Sequence, residues 1–160
     1  MEIATAEIQE TKIISAREKI AAYLELTKPR IAFMLVLTSA AGFYLGADKG
    51  FELILFLNAM LGITLLAFGV ATLNQVWERK TDALMERTAN RPLPTNKVSV
   101  AEALIFGLGL CITAEIYLAV LVNVLTAILG LVVIVGYVLL YTPLKTRTSM
   151  STAIGAIPGA

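Results

Sequence analysis

Four long apolar stretches, separated by segments that carry nearly all of the cations, leave this chain few folds to choose from. They run over residues 31–46, 53–76, 100–122 and 124–141, and a fifth begins at Ala153. Crossing a hydrocarbon layer about 30 Å thick takes roughly 20 mostly apolar residues at about 1.5 Å each. The pattern therefore predicts an all-α, polytopic transmembrane helix bundle with four complete spans plus the start of a fifth. Composition points the same way: 58% of the 160 residues are hydrophobic and 16% are charged, against about a half and a quarter in soluble domains. Gly42 and Gly46 stand at the small-xxx-small spacing that lets helices approach closely in lipid.

Orientation follows from the cations, because translocating short cationic segments is disfavoured. Lys12, Arg17, Lys19, Lys28 and Arg30 precede the first stretch; Arg79, Lys80, Arg87, Arg91 and Lys97 follow the second; Lys145 and Arg147 follow the fourth. Only Lys49 falls on the other side. The amino terminus and the loops around Glu78 and Lys145 are expected on the cytoplasmic side of a cell inner membrane, with the Asp48 and Asn123 turns outside. The chain divides into a cytoplasmic segment, 1–30, and a membrane domain, 31–160. No signal peptide or Arg-rich presequence is read in the first segment, where Glu2, Glu7 and Glu10 replace a basic start. Ile13, Ile20 and Leu24 recur near helical spacing there, which fits either a surface-lying amphipathic helix leading to Pro29 or a disordered tail.

Several chemistries are excluded at once. The chain has no His and one Cys, Cys111, so imidazole ligands, Ser/His triads, disulfides and Cys-cluster zinc sites cannot be built. A net charge of +1 gives no basic surface for nucleic acid. Any metal must be held by oxygen.

The richest candidate lies past the second stretch: Asn74-Gln-Val-Trp-Glu78-Arg-Lys-Thr-Asp82-Ala-Leu-Met85-Glu86-Arg87-Thr88-Ala-Asn-Arg91-Pro92-Leu-Pro94. If the helix continues, Asn74, Glu78 and Asp82 fall at i, i+4 and i+8, each about 40° round from the last, on one stripe roughly 12 Å long. Three oxygen donors so placed can hold Mg²⁺, which takes one or two carboxylates and completes its octahedron with water and phosphate oxygens. Arg87 and Arg91 follow, and their planar forks suit phosphate. Spacing alone leaves a second account open: a solvated membrane-edge loop whose charges merely pair, each pair worth about 0.2–0.5 kcal/mol. Glu86 continues the same row with nothing to distinguish it from Glu78.

The residues Asn74-x3-Glu78-x3-Asp82-x2-Met85-x-Arg87-Thr88-x2-Arg91-Pro92-Leu93-Pro94 resemble the first acidic motif of the UbiA-type intramembrane prenyltransferases. Glu78 and Met85 are most similar to the branch that prenylates protohaem IX. Leu26-Thr-Lys28-Pro29-Arg30, Tyr141-Thr-Pro143-Leu-Lys145 and Ile154-Gly-Ala-Ile-Pro158-Gly159 extend the likeness from about residue 23 to the last residue. It implies transfer of a farnesyl group from farnesyl diphosphate to a vinyl group of protohaem IX (haem B), giving haem O, with Mg²⁺ as cofactor. By motif position Asn74, Glu78 and Asp82 would act in catalysis and metal binding. Arg87, Arg91, Lys145, Arg30 and Tyr141 would contact substrate. Lys28 is assigned a headgroup-anchoring role. Association with haem A synthase or terminal-oxidase assembly is a further implication. The family has a second acidic motif in its later half, and this chain has no Asp or Glu after Glu115, so the 160 residues by themselves are expected to be inactive. Two rivals stand beside this reading: prenyl transfer to an aromatic quinone precursor, and a non-catalytic transporter or assembly subunit.

Within the spans, Glu115 is expected either to pack as a protonated or paired carboxyl or to touch haem. Glu102 should reach water and Asn58 should bond across helices. Trp77 and Tyr141 read as interfacial aromatics, and Cys111 as an inert small hydrophobe.

Overall fold

The computed structural model describes residues 15–47 and 50–145. They form five helices and, among the described residues, no strand: α1, Ala16–Leu26; α2, Pro29–Leu45; α3, Leu53–Asp82; α4, Val100–Leu121; and α5, Val124–Leu144. Ile13, the Asp48–Lys49 turn, Arg147 and the stretch from Ala153 lie outside the described residues.

Each helix begins or ends where local chemistry requires. Ser15 and Glu18 close a capping box on α1, and Ser99 with Glu102 does the same for α4, each pair satisfying two backbone N–H groups that the first turn leaves over. Pro29 opens α2, where its missing N–H is no loss. The Asn123 side chain accepts from the Thr126 N–H at 2.7 Å and starts α5 after a two-residue turn.

Helices α3, α4 and α5 are long and apolar enough to cross a membrane. The remaining expected span, α2, is an apolar helix of 17 residues, about 26 Å long, and so shorter than the hydrocarbon core. Helix α3 does the opposite. Its 30 residues extend about 45 Å, so a bilayer around its apolar part leaves its polar carboxyl end projecting beyond the core.

The centre of the bundle is the α3–α4 contact. Leu66, Val70 and Leu73 pack against Cys111, Ala114 and Leu118, with Ala127 and Val138 of α5 joining them. Close approach depends on Gly69 and Gly107. A methyl group at Gly69 would sit 2.6 Å from Cys111 Sγ and 2.9 Å from its backbone nitrogen. The Gly42/Gly46 pair does not serve this purpose: open space surrounds Gly42, and Gly46 meets only its own helix. Near the far end of α3, Tyr117 donates to Asn58 Oδ1 at 2.8 Å, the cross-helix bond expected of that asparagine.

A second apolar cluster joins the site end of the bundle. Ala22 and Leu26 of α1 pack with Val76 of α3, Ala103 of α4, and Leu93 and Val98 of the loop 83–99. Helix α1 thus forms, with a surprise in its facing: Ile20 and Leu24, the apolar residues that suggested it, point outward, 63% and 58% exposed. They present a greasy outer face, while the small Ala22 lets α1 lie close to the bundle. Lys19 Nζ and Glu102 Oε1, 2.5 Å apart, bind α1 to the first turn of α4.

The last turns of α5 are wound as a π-helix, Val135–Tyr141. The wider winding advances the residues that follow around the axis, and it is these residues, Thr142 and Lys145, that meet the end of α3.

Candidate functional site

Four segments converge where α3 leaves its apolar stretch: the carboxyl ends of α3 and α5, the α1–α2 turn, and the loop 83–99. Helical continuation through Asp82 puts the i, i+4, i+8 row in place. Asn74, buried, donates from Nδ2 to Glu78 Oε2 at 3.0 Å, while its Oδ1 accepts from the Thr142 hydroxyl of α5 at 2.9 Å. Lys145 Nζ reaches Glu78 Oε1 at 3.2 Å. One turn further, Arg91 Nη1 lies 2.8 and 2.7 Å from the two carboxylate oxygens of Asp82. The loop is shaped to deliver that arginine. Thr88 Oγ1 donates to the Asp82 carbonyl at 2.9 Å, and the N–H groups of Lys97 and Val98 return to the Pro92 carbonyl. Asn96, at φ 54°, makes the left-handed bend between them.

The two acids differ in setting. The Asp82 side chain is 7% exposed and that of Arg91 22%, so this pair is largely shielded from water. The Glu78 side chain is 16% exposed and Lys145 53%, so that pair opens outward. Burial would lower the Lys145 ammonium, but its hydrogen bond to Glu78 and the Glu78 charge outweigh burial and hold it above 10.5. Lys28 behaves in the reverse way. Half-buried at the head of α2, it is pushed below 10.5 by burial first and by the Arg91 charge second, against the opposing pull of Glu78 and Asp82. The Lys28 backbone bonds to Glu25, Ile31 and Ala32, while its side chain has no hydrogen-bond or ion-pair partner among the described residues.

Of the residues singled out from sequence, the structure brings together Asn74, Glu78, Asp82, Arg91 and Lys145. Tyr141 is adjacent, its ring 5.1 Å from that of Tyr137 on the same helix. Arg87 and Arg30 are exposed and stand outside the cluster. Lys28, assigned to lipid headgroups from sequence, is half-buried, and the charges of Arg91, Glu78 and Asp82 act on it. Gln75 and Thr142 were missed. The signal for Gln75 was a second amide directly after Asn74 in an otherwise apolar helix, and for Thr142 its place inside the Tyr141–Lys145 motif.

Among the described residues no three Asp, Glu, His or Cys side chains group to hold a metal. Hard oxygen donors are nonetheless present in the number Mg²⁺ uses. Glu78 and Asp82 carry lone pairs beyond those already engaged, and the cations gathered round them suit phosphate oxygens that would complete its shell. The Asn74 amide oxygen is turned to Thr142, which leaves the two carboxylates as the ligands that fit.

Elsewhere in the membrane helices, both Glu115 oxygens are buried without a donor among the described residues. They press on Gly130 of α5, where a methyl group would stand 2.5 Å from Oε1. Cys111 is a buried free thiol.

Comparison with known proteins shows the family of the chain. The chain is 41% identical over 147 residues to a protoheme IX farnesyltransferase of Solibacter usitatus, covering 86% of this chain and 50% of that protein. Proteins of the same name from Myxococcus xanthus (44% identity; 86% of this chain, 46% of theirs) and Opitutus terrae (42%; 91% and 49%) are similar to it as well. The chain spans about half the length of the curated relatives it matches. No solved structure matches it. Residues 35–160 match the UbiA prenyltransferase family, all but the amino-terminal fifth of the chain and the whole of the acidic row, so this multi-pass membrane protein belongs to that family.

Proposed function

We propose that this chain carries the first diphosphate-binding half of a protohaem IX farnesyltransferase. The carrying observation is the cluster itself: two carboxylates, Asp82 and Glu78, paired with Arg91 and Lys145 at the end of a membrane bundle, with Lys28 within reach of their charges. The names of the relatives support the acceptor and the donor.

The reaction separates charge. Heterolysis of the allylic C–O bond sends its electron pair to diphosphate and leaves cationic character on the farnesyl carbon. The electrons of the haem vinyl group then close the new C–C bond, and water adds to the resulting cation with loss of a proton, giving the hydroxyethylfarnesyl side chain. Arg91, Lys145 and Lys28 would receive the leaving diphosphate, whose charge grows as the bond breaks. Asn74 and Thr142 fix the Glu78 carboxylate in its orientation. Glu78 and Asp82 would hold Mg²⁺, which supplies electrostatic stabilisation of the leaving group when bound. Binding would then move Lys145 and Arg91 from carboxylate to phosphate.

The farnesyl chain, being apolar, belongs among the helices. In this reading α2 crosses the membrane as a fourth span, the amino terminus and the site face the cytoplasm, and the membrane is a cell inner membrane. A product as insoluble as haem O is best handed on within the bilayer, which favours contact with haem A synthase or oxidase-assembly partners.

The test is an acceptor competition with the full-length protein that contains this chain, in membranes supplied with farnesyl diphosphate, haem B and 4-hydroxybenzoate. Farnesylated haem should form, and Glu78→Gln or Asp82→Asn should reduce its rate by about a hundredfold or more. Prenylated 4-hydroxybenzoate in its place would move the reading to quinone precursors. Unchanged transfer in both variants would overturn the site.

A further inference from the structure

The turn between α1 and α2 is held in an unusual way. Lys28 follows the last residues of α1 with φ 48° and ψ 59°, a left-handed conformation that helix ends normally give to glycine. It is also the residue before Pro29, a position that favours extended backbone. A bulky side chain kept in such a conformation persists only where the surroundings over-determine it. The surroundings here are Gln75. Its Nε2 donates at 3.0 Å to the Leu26 carbonyl, an acceptor that the end of α1 leaves over, and at 3.3 Å to the Glu25 carbonyl, which it shares with the Lys28 N–H. Gln75 is 1% exposed, and its Oε1 is buried with no donor among the described residues. An orphaned amide oxygen costs about 1–3 kcal/mol, so an apolar residue of similar size would suit packing better unless the clamp on α1 has a use. That use is geometric: the clamp ties the turn carrying Lys28, two residues beyond Leu26, to α3 directly beside Asn74, which holds Glu78 at the head of the acidic row.

We infer that Gln75 is a positioning residue: it clamps the strained α1–α2 turn and thereby holds the Lys28 ammonium at the edge of the anion site. This rests on the diphosphate reading above, and its test is designed to separate the two. The full chain in lipid nanodiscs would be compared as Gln75→Met, Gln75→Leu, Lys28→Met and the double variant Gln75→Met/Lys28→Met. Two readouts are taken: affinity for inorganic pyrophosphate in magnesium buffer by calorimetry, and the rate at which an amine-acylating reagent labels Lys28 by mass spectrometry. Each single variant should weaken pyrophosphate by about tenfold, the worth of one lost charged contact, and the double variant by the same factor. Lys28 labelling should rise severalfold in Gln75→Met. Multiplied losses near a hundredfold, or unchanged Lys28 labelling in a folded Gln75 variant, would overturn the positioning role. If the unaltered chain takes up no pyrophosphate, the diphosphate reading falls while the labelling comparison still decides the clamp. Should both Gln75 variants fail to fold, adding Lys28→Gly, which relieves the left-handed strain, should restore folding; no rescue counts against the clamp.

Discussion

A single guanidinium nitrogen neutralises the whole Asp82 carboxylate, and the pair is mostly out of water. Removing one partner of such a pair leaves an uncompensated buried charge, which is worse than removing both. Arg91→Met should therefore destabilise the protein by about 2–3 kcal/mol, and adding Asp82→Asn should recover more than half of the loss, as read from unfolding in mixed detergent. Lys145 gives the pH signature. Its folded-state value is raised above 10.5, so it contributes stability that is fully present below 10.5 and lost as pH rises through the folded value. Melting temperature should be level up to about pH 10 and fall above it, and Lys145→Met should lessen that fall. These assignments differ in how they could be read in advance. The pairing of Glu78 with Lys145 joins residues 67 apart in sequence, and nothing in the linear order of charges selects it over the many local i,i+4 alternatives.

Between helices, the α3–α4 seam is governed by what stands opposite each glycine. Opposite Gly107 is the movable side chain of Leu73, whereas opposite Gly69 is the backbone nitrogen of Cys111. Gly69→Ala should cost about 2 kcal/mol and Gly107→Ala about 1 kcal/mol, an order that detergent unfolding can check. The sequence pointed to Gly42 and Gly46 because their spacing matches the general rule, but spacing does not say which helix face finds a neighbour. The cap of α4, by contrast, is built from neighbours in sequence. Ser99 and Glu102 sit three apart just ahead of an apolar run, and Ser99→Ala should cost about 1 kcal/mol. The π-helical winding of α5 has no composition of its own that would announce it. It arises where Thr142 and Lys145 must face α3 while the preceding turns continue to pack on α4.

Across the whole molecule, the ends of the helices sort by charge: α1, the last turns of α3 and α5, and the start of α4 meet at one end, which carries the cationic segments. In a Cys111→Ala background, a cysteine at the exposed Lys97 should be labelled by an impermeant thiol reagent only in inside-out vesicles, and one at the exposed Glu52 only in right-side-out ones. The reverse result would invert the proposed orientation. Chain order alone settled the membrane class, the helix positions and the acidic row, because each depends on spacing within about 30 residues: hydrophobic length must match a bilayer, and a helix repeats every 3.6 residues. Only folding could show that Gln75 ties the turn carrying Lys28 to α3, that Lys145 reaches Glu78, and that Arg87 and Arg30 stand exposed outside the cluster. Those outcomes hang on contacts between segments about 50–70 residues apart, which are fixed by the packing of all five helices together and leave no periodic trace in any one of them.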